Sequence, residues 1–196
     1  MLYIKLTALW LLFYFLHSLF AANFIKDYIK SVYTSLYRYY RLLYNIFNIA
    51  LFSIIWLFQK KSIPQYIFHK SNLLVYFGFA LVLVGLVIMA WAIKNYNIKE
   101  FIGTAYLKDN SLPNELNLQT FGLNKYVRHP IYFATIIFLT GYLLYKPNEL
   151  SLIFVCCSFV YIIIGSKLEE RKLTEQFGNA YVEYKKKTKM LLPFIY

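Results

Sequence analysis

Five long apolar runs divide the chain, at 4–22, 42–58, 73–93, 131–145 and 150–165. Most approach the roughly 20 residues that a helix needs to cross the hydrocarbon of a bilayer, so the pattern predicts transmembrane helices. The last two runs are the shortest, and only Lys146, Pro147, Asn148 and Glu149 separate them. So short a connection predicts a tight antiparallel helical hairpin whose other ends meet on one side. Beyond it, 169–189 reads as an amphipathic helix with Leu173, Phe177, Tyr181 and Tyr184 near one face and a basic opposite face, interrupted by Gly178.

The longest connection, 94–130, carries Asp109, Asn110, Ser111, Pro113 and Asn114. These residues predict turns around a polar centre, and a loop of that length commonly carries function. No internal repeat, low-complexity tract or Gly/Ser linker divides the sequence, which predicts one domain over 1–196. The expected fold is an all-α polytopic membrane protein of about five transmembrane helices, with a C-terminal helical hairpin and a cytosolic amphipathic helix.

Composition agrees, since 60% hydrophobic and 15% charged residues lie outside the range of soluble proteins. Many of the 20 tyrosines stand near the ends of the apolar runs, where amphipathic rings sit at headgroup depth. The net charge of +12 arises from residues between the runs and after the last one, so anionic lipid headgroups, rather than nucleic acid, are the expected counter-charge. Sixteen of the 21 Lys and Arg residues fall in 24–41, 94–130 and 166–196, which predicts that these segments and the C-terminus face the cytosol. Cys156 and Cys157 are adjacent inside an apolar run and have no other cysteine to pair with. The first run holds His17 and lacks a small-x-small cleavage site, so it reads as a retained helix. His17 needs a polar partner, Asn45 or Asn48 of the second helix, unless it serves an acceptor site. Gly78 and Gly85 leave one face of the third helix small and permit close helix approach.

The hairpin topology brings Arg128 and His129, just before its first helix, together with Glu169 and Glu170, just after its second, beside the loop around Gly122. Pro130 fits the first helical turn without losing a hydrogen bond, which sets Arg128 and His129 at an electropositive helix start that favours anions. Carboxylates that have scarcely left lipid need Arg, Lys or ligand hydroxyl partners.

The segment Gly122-Leu-Asn-Lys-Tyr-Val-Arg-His-Pro-Ile-Tyr132, followed by Glu169-Glu170, Leu173, Phe177-Gly178, Tyr181, Tyr184 and Pro193, resembles the isoprenylcysteine carboxyl methyltransferase and phospholipid methyltransferase superfamily. The joint spacing of these pieces over the C-terminal 75 or so residues is far more specific than any one of them. His17-Ser18, Tyr39-Tyr40-Arg41 and Tyr96-Asn-Ile-Lys-Glu-Phe-Ile-Gly103 look like a bacterial branch of that superfamily, which implies the bacterial inner membrane.

The resemblance implies S-adenosylmethionine bound within 94–196 and an acceptor arriving from the membrane, with no metal and no nucleophilic residue. It places the cofactor contacts on Gly122, Tyr126, Val127, His129, Tyr132 and Glu170, and the catalytic roles on His129, Arg128 and Glu169. Glu170 is the carboxylate expected to hold cofactor hydroxyl or amino groups, while Glu169 pairs with Arg128 or Arg171. His129 is expected to contact the cofactor or to remove a proton from a thiol or amine acceptor. Asn124 departs from the pattern, because many relatives carry an aromatic residue two positions after the loop glycine. The acceptor is a small or lipophilic thiol, lipid amine or carboxylate. A non-catalytic carrier or accessory subunit that retains the pocket is the alternative.

Overall fold

The computed structural model describes residues 1–68, 71–94, 96–107, 118–193 and 195. It contains α1 (Leu2–Ala21), α2 (Asn23–Val32), α3 (Tyr40–Lys60), α4 (Asn72–Lys94), α5 (Ile98–Ile102), α6 (Pro130–Tyr145), α7 (Glu149–Phe177) and α8 (Asn179–Lys187), with 3₁₀ turns at Tyr37–Tyr39, Ala105–Leu107 and Gly122–Lys125. No strand occurs among the described residues. Four helices, α1, α4, α7 and α3 with the turn before it, are long and apolar enough to cross a membrane, and α6 is a shorter apolar helix. The protein is therefore an all-α polytopic membrane protein. The polar centre expected around Asp109 to Asn114 lies outside the described residues.

The helices form two compact units, Met1–Ile63 with Tyr96–Leu116, and Pro64–Asn95 with Asn117–Tyr196. In the first, α1 packs on α3 through Leu6, Trp10 and Phe13 against Ile55, Phe52 and Gln59. The Trp10 indole donates to Gln59 Oε1 at 3.0 Å, which satisfies two polar groups that lipid would not. His17 Nδ1 lies 3.1 Å from Asn48 Oδ1, and the Tyr44 hydroxyl lies 3.1 Å from the same ring nitrogen. Asn48 is thus the partner, while Asn45 donates instead to the Ile102 carbonyl at 2.8 Å and ties α5 to α3.

Between those spans α2 presents Phe24, Tyr28 and Val32 to the surroundings and buries nothing. Lys26, Asp27 and Lys30 occupy its other side, the pattern of a helix lying at a membrane surface. That element went unread in the sequence, because ten residues are too few to register as a run.

The second unit is organised by contact between α4 and α6. A Cβ on Gly78 would stand 2.5 Å from the Tyr145 amide nitrogen, one on Gly85 2.7 Å from that of Phe138, and one on Gly141 2.6 Å from that of Val82. Only hydrogen fits at these three positions, so the backbones meet directly, as small residues permit in lipid. The α6–α7 turn is closed by Asn148, whose side chain caps the Ser151 amide at 2.9 Å. Residues 65–67 line this turn, Gln65 accepting from the Glu149 amide and Ile67 donating to Pro147.

The structure corrects the expected amphipathic helix over 169–189. Its first part is the end of α7, which runs for 29 residues, about 43 Å. Nothing between Gly165 and Phe177 breaks a helix, so α7 carries Glu169 and Glu170 on the polar extension of the span. It stops at Gly178, where φ is +53° and ψ −130°, and α8 follows as a separate helix.

Substitution at the α4–α6 contact tests this packing. Gly141→Leu is expected to cost about 1–3 kcal/mol through overpacking, read as a lower thermal midpoint of the purified chain in detergent. Gly165→Ala, whose added carbon meets nothing nearer than 3.5 Å outside its own turn, is expected to leave the midpoint in place.

Candidate functional site

The segment before α6 is shaped by its own backbone. Gly122 opens the 3₁₀ turn with φ of +62°, which a side chain rarely adopts. Val127 then bridges in parallel to Lys189, His129 lies outside the helical region at φ −120° and ψ 70°, as proline favours in the residue before it, and Pro130 takes the first helical position of α6. The amide of Arg128 donates to Lys189 at 2.8 Å and that of His129 to Met190 at 3.2 Å, so the chain after α8 lies alongside this segment. Val127 is 2% exposed and anchors the pair of segments.

Glu170 is the hub. Its Oε1 accepts from Arg128 Nε at 2.6 Å and from the Tyr181 hydroxyl at 3.0 Å, and lies 3.2 Å from His129 Nε2. The side chains of Arg128 and Glu170 are only 10% and 13% exposed, so each charge relies on the other. Arg128 Nη1 also donates to the carbonyls of Thr188 and Lys185 at the end of α8, where a cation complements unsatisfied carbonyls. Burial first, and then the neighbouring Glu170 carboxylate, push the Tyr181 phenol above its ordinary value and keep it a donor.

Glu169 is half-exposed, and its Oε2 lies 3.7 Å from His129 Nδ1. Tyr132 stands beside the same histidine, its ring 5.5 Å from the imidazole. The expected pairing of Glu169 with Arg128 is corrected, since Glu170 takes that partner. Adjacent helix residues point about 100° apart, and the phase of α7 turns Glu170 toward Arg128.

Of the residues singled out in the sequence, the structure gathers Arg128, His129, Tyr132, Glu169 and Glu170, with Gly122 and Val127 shaping the approach. Tyr126 is 54% exposed and stands apart from the cluster. Sequence reasoning placed Tyr181 and Tyr184 near an apolar face and in the family spacing, without a role for their hydroxyls, yet both hydroxyls do polar work. Tyr184 donates to the Asn124 carbonyl at 2.5 Å and fastens the glycine turn to α8. Their only sequence signal was the spacing that follows Phe177-Gly178. Asn124 is 4% exposed, and its side-chain amide donates to the Arg128 carbonyl at 3.3 Å. Its Oδ1, and Oε1 of Gln119, are buried acceptors without a donor among the described residues.

The fold and this cluster define a class, helical membrane proteins with an ion-paired carboxylate hub at the end of a span. The family model for phospholipid methyltransferase matches residues 73–180, more than half of the chain, and the chain belongs to that family. Curated relatives include a methanethiol S-methyltransferase 1 from Bradyrhizobium diazoefficiens, 38% identical over 72 residues that cover 37% of this chain and 25% of the relative. A methanethiol S-methyltransferase from Pseudomonas deceptionensis is 39% identical over 84 residues, 41% of this chain and 30% of its own. Another, from Crocosphaera subtropica, is 25% identical over 150 residues, 76% of this chain and 58% of its own. The matches thus span a quarter to somewhat over half of the length of these relatives. No solved structure matches the chain significantly.

Removing Arg128 strips the shortest donor from a buried carboxylate and uncaps α8, so Arg128→Met is expected to destabilise by about 3 kcal/mol. Tyr184→Phe loses one neutral hydrogen bond and is expected to cost about 1 kcal/mol. Denaturant unfolding of the full chain in detergent reads both, and a reversed order would contradict the hub assignment.

Proposed function

We propose that the protein is an S-adenosylmethionine-dependent membrane methyltransferase that methylates the sulfur of a small thiol. What carries this reading is the coincidence of the family match with the Arg128–Glu170–His129 cluster, all three residues falling inside 73–180. The choice of a thiol among thiol, lipid amine and carboxylate acceptors rests on the relatives, which are methanethiol S-methyltransferases by name.

The residues present suit the cofactor. Its ammonium, ribose hydroxyls and adenine amino group are all donors, and the loop offers two buried acceptors that lack one, Asn124 Oδ1 and Gln119 Oε1. Among the described residues the donors to Glu170 all reach Oε1, which leaves Oε2 for a ligand hydroxyl or amino group. Glu170 also lines a cavity of about 330 Å³ with Arg171, Thr174, Glu175 and Lys185, a volume within the range of small-molecule sites. When bound, the cofactor supplies an already activated methyl group, so the protein contributes binding, alignment and electrostatics. Arg128 and Tyr181 hold Glu170 rigid, and Tyr184 and the Val127–Lys189 bridge fasten the glycine loop to α8 and the chain after it.

The distribution of Lys and Arg supports an orientation with the segment after α7 in the cytosol, where the cofactor is made, and the bacterial relatives favour the bacterial inner membrane as the location.

Purified full-length protein in lipid nanodiscs, given methyl-labelled S-adenosylmethionine and a small alkanethiol, is expected to release the labelled methyl thioether. Calorimetry is expected to show cofactor binding that Glu170→Gln weakens by about 10–100-fold. A carrier or accessory subunit would give no thioether and binding indifferent to that change.

A further inference from the structure

Thiols of small alkanes are mostly protonated near neutral pH, and the thiolate is the nucleophile. Methyl transfer to such an acceptor therefore requires an atom that takes its proton. Resting on the reading of the protein as a thiol methyltransferase, we propose that Glu170 fixes the tautomer of His129 and leaves Nδ1 as that atom.

His129 is 5% exposed, and its two ring nitrogens have different surroundings. Nε2 lies 3.2 Å from Glu170 Oε1, within hydrogen-bond range, whereas Nδ1 lies 3.7 Å from Glu169 Oε2, beyond it. Ionised, Glu170 accepts at both oxygens and donates at neither, and the Arg128 guanidinium 2.6 Å away favours that state. The hydrogen of a neutral imidazole is therefore drawn to Nε2, and the lone pair remains on Nδ1. Tyr132 faces the ring from α6, its ring centre 5.5 Å from that of the imidazole. The ring thus has a fixed donor edge, an acceptor edge that makes no hydrogen bond among the described residues, and a carboxylate 3.7 Å away that stabilises the imidazolium once it forms. Arg128 and Tyr181 act as positioning residues, through Glu170.

In this scheme the S–H bond of the acceptor breaks and its proton bonds to Nδ1. The freed electron pair on sulfur forms the new S–CH₃ bond, while the electrons of the methyl–sulfonium bond stay with the donor's sulfur. The proton then leaves to water past Glu169, which at 48% exposure is the solvent-reaching member of the cluster.

Nitrogen-15 NMR of histidine-labelled full chain in nanodiscs reads the ring directly, without turnover. The His129 signals are assigned by their loss in His129→Gln or, if that variant does not fold, by elimination with His17→Gln and His69→Gln. The expected result is a neutral ring with hydrogen on Nε2; hydrogen on Nδ1, or a ring doubly protonated up to about pH 9, overturns the assignment. Kinetics supply the second arm, with ethanethiol, largely protonated, and the similarly sized but more acidic trifluoroethanethiol. His129→Gln is expected to lower kcat with ethanethiol by about 100-fold or more, and with trifluoroethanethiol by at least about tenfold less than that. Equal losses with both would assign His129 to binding or structure and overturn its role as base. A wild-type protein that methylates neither thiol while its ring carries hydrogen on Nε2 would sink the thiol reading and the proton transfer with it, and leave the tautomer assignment standing.

Discussion

A single carboxylate oxygen, Oε1 of Glu170, draws together the segment before α6, the polar end of α7 and α8. A buried carboxylate is expensive unless donors surround it, and each donor that answers it brings a piece of chain along. Arg128 answers it and also caps α8, so the guanidinium couples the end of a span to the helix that follows it. Tyr181 returns the contact from α8, and Tyr184, one helical turn further on, fastens the glycine turn. The arrangement is closed, in that loosening any one donor exposes charge on its neighbours.

The same hub explains why the two adjacent glutamates differ. Glu170 has donors within the protein and spends one oxygen on them; Glu169 is half-exposed and shares its surroundings with His129 and Tyr132. One carboxylate therefore organises the site, and the other is free to respond to what enters it. His129 lies between them, 3.2 Å from Glu170 Oε1 and 3.7 Å from Glu169 Oε2.

Asn124 holds the glycine turn through its side-chain amide, which donates to the Arg128 carbonyl. Its Oδ1 is a buried acceptor with no donor among the described residues.

The apolar runs alone determined that the chain crosses membranes, because twenty or so residues without charge have no other stable solvent. They also located each span to within a few residues, apart from α7. The hairpin was legible for the same reason, since four residues cannot carry the chain elsewhere. The glycine contact between α4 and α6 was half legible: Gly78 and Gly85 marked one face, but its partner Gly141 emerged only from the packing. Which glutamate takes Arg128, whether the helix continues past Gly165, and whether His17 finds Asn45 or Asn48 were all decided by the tertiary structure. Neighbouring residues on a helix differ by about 100° in direction, and no local signal sets that phase. It is set by how one helix packs against the next, which composition and spacing leave open.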